Sequence, residues 1–163
     1  VENRARLLLE VTEAVVDVWG SDRVGLRLSP SGTFNSMYDS NRAAIFGYAV
    51  KELNRFNLAY LHLVAPRVEG FGSAEDQPDL GAEFFRPIYN GTIITAGGYS
   101  FETGNQAIAS GSADLVAFGR LYIAQPDLVE RCAAHAPLNK PDLNTFYGGD
   151  EKGYTDYPTW QAA

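Results

Sequence analysis

Residues 91–118, GTIITAGGYSFETGNQAIASGSADLVAF, decide the fold. The β-branched run GTIITAGG (91–98) predicts a buried strand that ends in two glycines. FETGNQAIASG (101–111) then predicts a helix closed by Gly111, and DLVAF (114–118) predicts a second short strand. Because the helix carries the chain back along the sheet, the two strands of such a βαβ unit run parallel.

The same alternation of helix and strand extends over the rest of the chain. In chain order we predict helix 3–19, strand 23–29, helix 41–56, strand 58–66, short helix 80–90, strand 91–98, helix 101–111, strand 114–118 and helix 125–135, with an irregular, aromatic-rich tail at 136–163. On the first helix, an apolar stripe with helical spacing is expected to face the core: Leu7, Leu8, Val11, Ala14, Val15 and Val18. Four strands separated by helices indicate an α/β domain with a parallel sheet.

From these elements alone, two architectures remain open. One is an open doubly wound sheet, although the G-x-G-x-x-G fingerprint of its nucleotide-binding members is absent. The other is half of a (β/α)8 barrel, because a complete barrel takes about 250 residues and this chain has 163. In both architectures the functional groups are expected at the carboxyl ends of the strands.

Composition excludes several classes of protein. The net charge of −7 disfavours a general nucleic-acid or membrane-surface binder, since both need a basic field. Cys132 is the single cysteine, so no internal disulfide forms. No apolar run approaches a membrane span, and VENRARLLLE is unlike a signal peptide. A cytoplasmic protein is therefore expected, and the missing initiator methionine indicates a fragment or a processed product.

Two strand ends carry the pattern of an anion site. Gly97-Gly98 ends one strand and Gly119-Arg120 ends the next. Glycines let backbone N–H groups approach a phosphate closely, and an arginine can bind it through two parallel hydrogen bonds. RLYIAQ (120–125) fits the short extra helix that accompanies the phosphate site of many barrels. The alternative is that the glycines are tight turns and Arg120 is merely solvated.

Arg27 and His62 are the other polar side chains placed within predicted strands. Arg27, in VGLRLS, is expected to be buried and therefore to meet either a carboxylate or a ligand. His62 is expected to be a core histidine with its hydrogen bonds satisfied, and a ligand-binding histidine is the alternative. Two distant histidines and one cysteine predict no metal site. In the tail, Phe146 and Tyr147 are expected to cover an apolar surface, which is core, a partner chain or a planar ligand.

Several stretches together resemble the Old Yellow Enzyme family of FMN-dependent ene-reductases, which includes the plant 12-oxophytodienoate reductases. The matching stretches are ENRARLLLEV (2–11), DRVGLRLSPSG (22–32), GTIITAGGYSFETGNQAI (91–108), DLVAFGRLYIAQPDLVER (114–131), APLN (136–139) and TFYGGDEKGYTDYP (145–158). The resemblance implies that residues 1–163 are the C-terminal half, strands five to eight, of an FMN-binding (β/α)8 barrel.

The resemblance also implies roles for individual residues. Arg27 looks like the arginine at the flavin pyrimidine edge, where it favours the anionic reduced ring. Phe146 looks like a cofactor-binding residue, Tyr147 lines the substrate mouth, and Arg67 looks like a loop arginine near the substrate. The residues that look like the FMN phosphate and ribityl cradle are Gly97, Gly98, Gly119 and Arg120.

What the chain lacks follows from the same resemblance. The family's first four strands are absent, and with them the tyrosine proton donor and the His/Asn or His/His pair that binds the substrate carbonyl. No catalytic residue is therefore expected in this chain, and a complementary chain or segment carrying strands one to four is expected as partner. Half a sheet left with two unpaired edge strands would otherwise be prone to association.

The function that the resemblance implies is the FMN-phosphate-binding half of an NADPH- or NADH-dependent ene-reductase acting on α,β-unsaturated carbonyl compounds. The alternative is a non-catalytic half-barrel that binds phosphate or closes a barrel with a second copy. A doubly wound nucleotide-binding protein is a third possibility, disfavoured by the missing fingerprint.

Overall fold

The computed structural model describes residues 1–66, 80–148 and 150–161. Its elements are α1 (Glu2–Trp19), β1 (Gly25–Leu28), α2 (Arg42–Leu53), β2 (Tyr60–Val64), α3 (Ala82–Phe85), β3 (Ile93–Ala96), α4 (Phe101–Ala109), β4 (Leu115–Ala117), α5 (Arg120–Ala124) and α6 (Leu128–Ala134). They form two compact units, Val1–Ala117 and Phe118–Ala163. The predicted alternation of helices and strands is confirmed, including the extra helix α5.

The first unit contains a four-stranded parallel sheet in the order β1-β2-β3-β4. Each strand pairs with the next one in the chain. A doubly wound sheet reverses direction at a switch point, whereas a barrel is wound in one direction throughout. The sequential order therefore favours the barrel-type arrangement over the open doubly wound sheet.

The two faces of the sheet differ in what covers them. One register-aligned row contains Leu28, Leu63, Thr95 and Val116, and its Leu28 and Leu63 belong to the core that α1, α2 and α3 complete. The adjacent row, Arg27, His62, Ile94 and Leu115, lies on the opposite face. There Arg27 is exposed and Leu115 is 53% exposed. We call this second side the open face.

Helix α1 packs on the core through a stripe that only partly matches the one predicted. Ala5, Leu9 and Thr12 are buried. Of the stripe predicted to face the core, Leu8 is partly buried and packs against the core, as predicted. Leu7, Val11, Val15 and Val18 are exposed. The prediction was wrong for these four residues because the helix has two neighbouring apolar stripes. Thr12 is buried at little cost because its hydroxyl donates to the Leu8 carbonyl, 2.7 Å away.

Local signals explain most of the element boundaries. Asn41 caps α2 by accepting a hydrogen bond from the Ala44 amide at 3.0 Å. Gly20 closes α1 with a φ of 82°. The last helix begins later than predicted, since Pro126 precedes it and Asp127 is its N-cap residue. None of the helices in the described residues combines the length and the apolar character that a transmembrane span requires.

Candidate functional site

Arg27 and His62 stand side by side on the open face of the sheet. They are register partners on β1 and β2. Arg27 was predicted to be buried, and this is wrong, because its side chain is exposed in the structure. It makes no ion pair or hydrogen bond within the described residues. The expected alternative of a structural ion pair is therefore absent from that part of the chain.

His62 departs from the prediction of a satisfied core histidine. Its Nε2 atom is buried and has no hydrogen-bond partner within residues 1–66, 80–148 and 150–161. Burial lowers the pKa of His62 below its usual 6.5, and the positive charge of Arg27 lowers it further. The imidazole is therefore neutral at physiological pH. The buried Nε2 atom next to the Arg27 cation is therefore a polar atom that lacks a hydrogen-bond partner.

The end of β3 has the backbone geometry that its glycines predicted. Gly97 and Gly98 have φ values of 109° and 67°, where residues with a side chain are strained. Helix α4 begins almost at once. Ser100 caps it, since its side chain accepts from the Thr103 amide while Thr103 Oγ1 accepts from the Ser100 amide at 2.9 Å. The capping box fixes this turn against the start of the helix.

Gly119 and Arg120 belong to the second unit. Gly119 has an ordinary φ of −100°, and a Cβ added there would have no atom within 4 Å. Neither backbone strain nor crowding by the described residues therefore demands glycine at this position. Arg120 is the first residue of α5 and is exposed.

The tail presents Phe146 and Tyr147 as an edge-to-face pair, with ring centroids 6.5 Å apart. Tyr147 is 91% exposed and Phe146 is partly buried. Tyr147 therefore covers no apolar surface within the described chain. Arg67 lies outside the described residues.

The structure thus divides the predicted site residues between the units. Arg27, Gly97 and Gly98 lie in the first unit. Gly119, Arg120, Phe146 and Tyr147 lie in the second. No group of three or more potential metal ligands is found in the described part of the chain.

Sequence reasoning missed the buried cation of the second unit, Arg131, which is 3% exposed. A signal was available, because Asp127 precedes it by four residues on a short helix, the spacing of an ion pair. Gln125, fully buried, was also missed and carries no comparable signal.

Comparisons with known proteins agree with one another. The family model described as NADH:flavin oxidoreductase / NADH oxidase matches residues 1–139. 12-oxophytodienoate reductase 1 of Oryza sativa subsp. japonica is 47% identical over 163 residues, covering 97% of this chain and 42% of that protein. 12-oxophytodienoate reductase 2 of Arabidopsis thaliana is 41% identical, covering 99% and 43%.

Solved structures give the same result. The old yellow enzyme from Trypanosoma cruzi aligns with a TM-score of 0.87 and 41% identity, over 97% of this chain and 41% of that one. Morphinone reductase aligns with a TM-score of 0.88 and 42% identity, over 98% and 42%. The chain therefore spans less than half the length of each of these four relatives.

Proposed function

The chain belongs to the NADH:flavin oxidoreductase / NADH oxidase family, and from this premise we propose that it is the FMN-phosphate-binding half of an NAD(P)H-dependent ene-reductase. In this proposal, residues 1–163 form strands five to eight of a (β/α)8 barrel, and the complete barrel reduces the activated C=C bonds of α,β-unsaturated carbonyl compounds. A cytoplasmic location is part of the same proposal.

The observation that carries the proposal is the exposed, unpaired guanidinium of Arg27 on the open face. A protein with a net charge of −7 has carboxylates in excess, yet none described lies within ion-pair distance of this arginine. Arginine is suited to planar, anionic acceptors because its donors form a rigid fork. The pyrimidine edge of a reduced flavin is such an acceptor.

The residues present fit FMN in a second respect. Gly97 and Gly98 turn the chain with positive φ at the carboxyl end of β3, where parallel sheets bind their ligands. Gly119 leaves open space where a side chain would stand. In the proposed site these backbones and the Arg120 side chain hold the phosphate and ribityl chain.

When bound, FMN supplies the redox chemistry, taking a hydride from the reduced nicotinamide and passing it to the β-carbon of the alkene. The chain's own residues bind and orient. Arg27 places a fixed positive charge beside the pyrimidine edge, and Phe146 contacts the flavin. Tyr147 and Arg67 are proposed to bind the substrate. The proton donor and the carbonyl-binding pair belong, in this proposal, to strands one to four.

The proposed partner is a complementary segment that carries those four strands, whether another chain or another part of one protein. Three features support it. The edges of β1 and β4 carry no further strand within the described residues. The open face exposes Tyr60 and Leu115. Helix α1 exposes an apolar stripe that consists of Leu7, Val11, Val15 and Val18. Such surfaces are what an absent half-barrel would cover.

Native mass spectrometry tests the proposal. The chain is combined with the part of rice 12-oxophytodienoate reductase 1 that it does not match, in the presence of FMN. We expect a one-to-one complex carrying one FMN, with flavin absorbance and NAD(P)H-dependent reduction of an enone. A flavin-free homodimer of the 163-residue chain would instead establish a self-associating half-barrel and overturn the proposal.

A further inference from the structure

The second unit contains a buried arginine that joins three parts of the chain. Arg131, on α6, donates from Nε to Asp127 Oδ1 at 2.6 Å. Its two Nη atoms donate to the carbonyl oxygens of Pro137, at 2.5 Å, and Pro158, at 2.8 Å. One guanidinium therefore connects Asp127 at the start of α6 with Pro137, just after that helix, and with Pro158, which lies 27 residues after Arg131.

A second group of hydrogen bonds holds the same two segments together. The side chain of Asn139 donates to the carbonyl oxygens of Pro158, at 2.9 Å, and Ala124, at 2.7 Å. Its backbone N–H donates to Gln125 Oε1 at 2.7 Å. The other oxygen of Asp127 accepts from the Trp160 amide at 2.5 Å. Residues 137–139 and 158–160 are thus hydrogen-bonded to each other and to residues 124–131.

Between these fixed ends lies a loop that we call the aromatic loop, residues 140–148 and 150–157. Within it, the Asp142 amide donates to the Tyr157 hydroxyl at 2.8 Å. Gly153 has a φ of 73°, and a Cβ there would lie 1.9 Å from Thr145 Oγ1. The two arms of the loop are therefore packed closely against each other.

We propose that Arg131 is a positioning residue, which fixes both ends of the aromatic loop and thereby sets where Phe146 and Tyr147 stand. This inference rests on the proposed function, in which those two rings contact the flavin and the substrate. Arginine is required because its planar guanidinium reaches three acceptors in different directions, which a lysine ammonium does not reproduce. Removing it would leave the Asp127 carboxylate, 13% exposed, without its cation.

Trypsin provides a readout that needs no cofactor. The described loop contains two lysines, and trypsin does not cut the Lys140–Pro141 bond. Cleavage at Lys152–Gly153 therefore reports loop opening, because Gly153 is buried against Thr145. We expect Arg131→Gln to raise this cleavage rate by about ten-fold or more, since several hydrogen bonds to a charged group are lost.

The matched control is Arg86→Gln. Arg86, less deeply buried than Arg131, donates to Gly91 O at 2.7 Å and to Asp114 at 2.9 Å in the first unit. Arg86→Gln removes a comparable network whose acceptors all lie outside the aromatic loop, so cleavage at Lys152 should stay at the wild-type rate. If Arg131→Gln does not fold, Asp127→Asn replaces it, because that change weakens the same network while keeping the side-chain shape.

The kinetic readout separates positioning from general stability. With the complementary half and FMN present, we expect Arg131→Gln to raise KM for the alkene about ten-fold, with a smaller change in kcat. In a Tyr147→Ala background the same substitution should add no further increase, because the ring that it positions is gone.

Each outcome has a definite meaning. Unchanged cleavage at Lys152 overturns the proposal, whatever the activity. Faster cleavage with a KM increase that is fully additive with Tyr147→Ala also overturns it, leaving a purely structural arginine. Faster cleavage with a non-additive KM effect supports it. A wild-type assembly that binds no flavin refutes the proposed function and the role of the loop in flavin chemistry. The cleavage comparison still shows whether Arg131 fixes the aromatic loop.

Discussion

Arg27 lies directly across from His62 in the register of β1 and β2. Burial lowers the pKa of His62, and the positive charge of Arg27 lowers that pKa further. The two side chains belong to a row that crosses the open face of the sheet. Within the described residues, the exposed guanidinium of Arg27 has no hydrogen-bond partner, and neither has the buried Nε2 atom of His62. Both side chains therefore lack a hydrogen-bonding partner, and the pKa of His62 can be measured in the chain alone.

The first prediction concerns the His62 pKa. We expect NMR titration of the imidazole to give a pKa below 6.5. Arg27→Met should raise it without restoring the ordinary value, because burial, the larger cause, remains. Arg55→Met removes an exposed positive charge that is paired with Glu52 and serves as the control. A His62 pKa that does not respond to Arg27→Met would show that the two groups do not interact.

The second prediction follows from the sign of that shift. Because the folded state holds His62 with a lowered pKa, the unfolded chain binds the proton more readily near pH 6.5. The free energy of unfolding should therefore fall as pH drops through and below 6.5. Urea unfolding at pH 7.5 and 5.5 measures the loss, and His62→Gln should reduce it. An identical loss in the variant would assign the acid sensitivity to other groups.

The third prediction separates glycines that the backbone needs from one that it does not. Gly98→Ala places a side chain at a φ of 67° and should destabilise the first unit by about 1–2 kcal/mol. Gly119→Ala has an ordinary φ and free space, so the stability change should stay within about 0.5 kcal/mol. If Gly119→Ala nevertheless weakens FMN binding, the open space belongs to the ligand. Equal destabilisation by both variants would contradict this distinction.

The fourth prediction uses the two stripes of α1. Leu9→Ala removes a buried core side chain and should cost about 2–5 kcal/mol. Val11 is 53% exposed, so Val11→Glu should change the stability of the chain alone by no more than about 0.5 kcal/mol. In the proposed complex it should weaken binding of the complementary half at least about ten-fold, because a charge would be buried in the contact. Unimpaired assembly of Val11→Glu would place the contact elsewhere.

Much of the fold followed from local patterns. The glycine pair after the β-branched run 91–96, the cap at Asn41 and the short helix after Gly119 are each encoded by a few adjacent residues. The order of the strands was not available from such patterns. Two architectures were therefore left open until the pairing of β1 with β2, β3 and β4 in sequence was seen.

The errors have one physical origin. Arg27 was expected to be buried, and four residues of α1 that are exposed were expected to face the core. Sequence patterns show which positions are apolar, but not which of two apolar surfaces the same chain covers. The hydrogen bonds of Arg131 were missed for a related reason. Two of its three acceptors are backbone carbonyl oxygens, which every residue carries and which a sequence pattern therefore does not indicate.

The most direct test of the central claim compares FMN with riboflavin, which lacks the phosphate. In the complex with the complementary half, we expect FMN to bind at least about ten-fold more tightly, because charge-assisted hydrogen bonds to the phosphate are made only by FMN. Arg120→Met should bring the two dissociation constants close together while leaving riboflavin binding unchanged, and Arg55→Met should leave both unchanged. Equal affinity for FMN and riboflavin in the wild-type complex, or a ratio that Arg120→Met does not alter, would contradict the claim that this chain holds the phosphate.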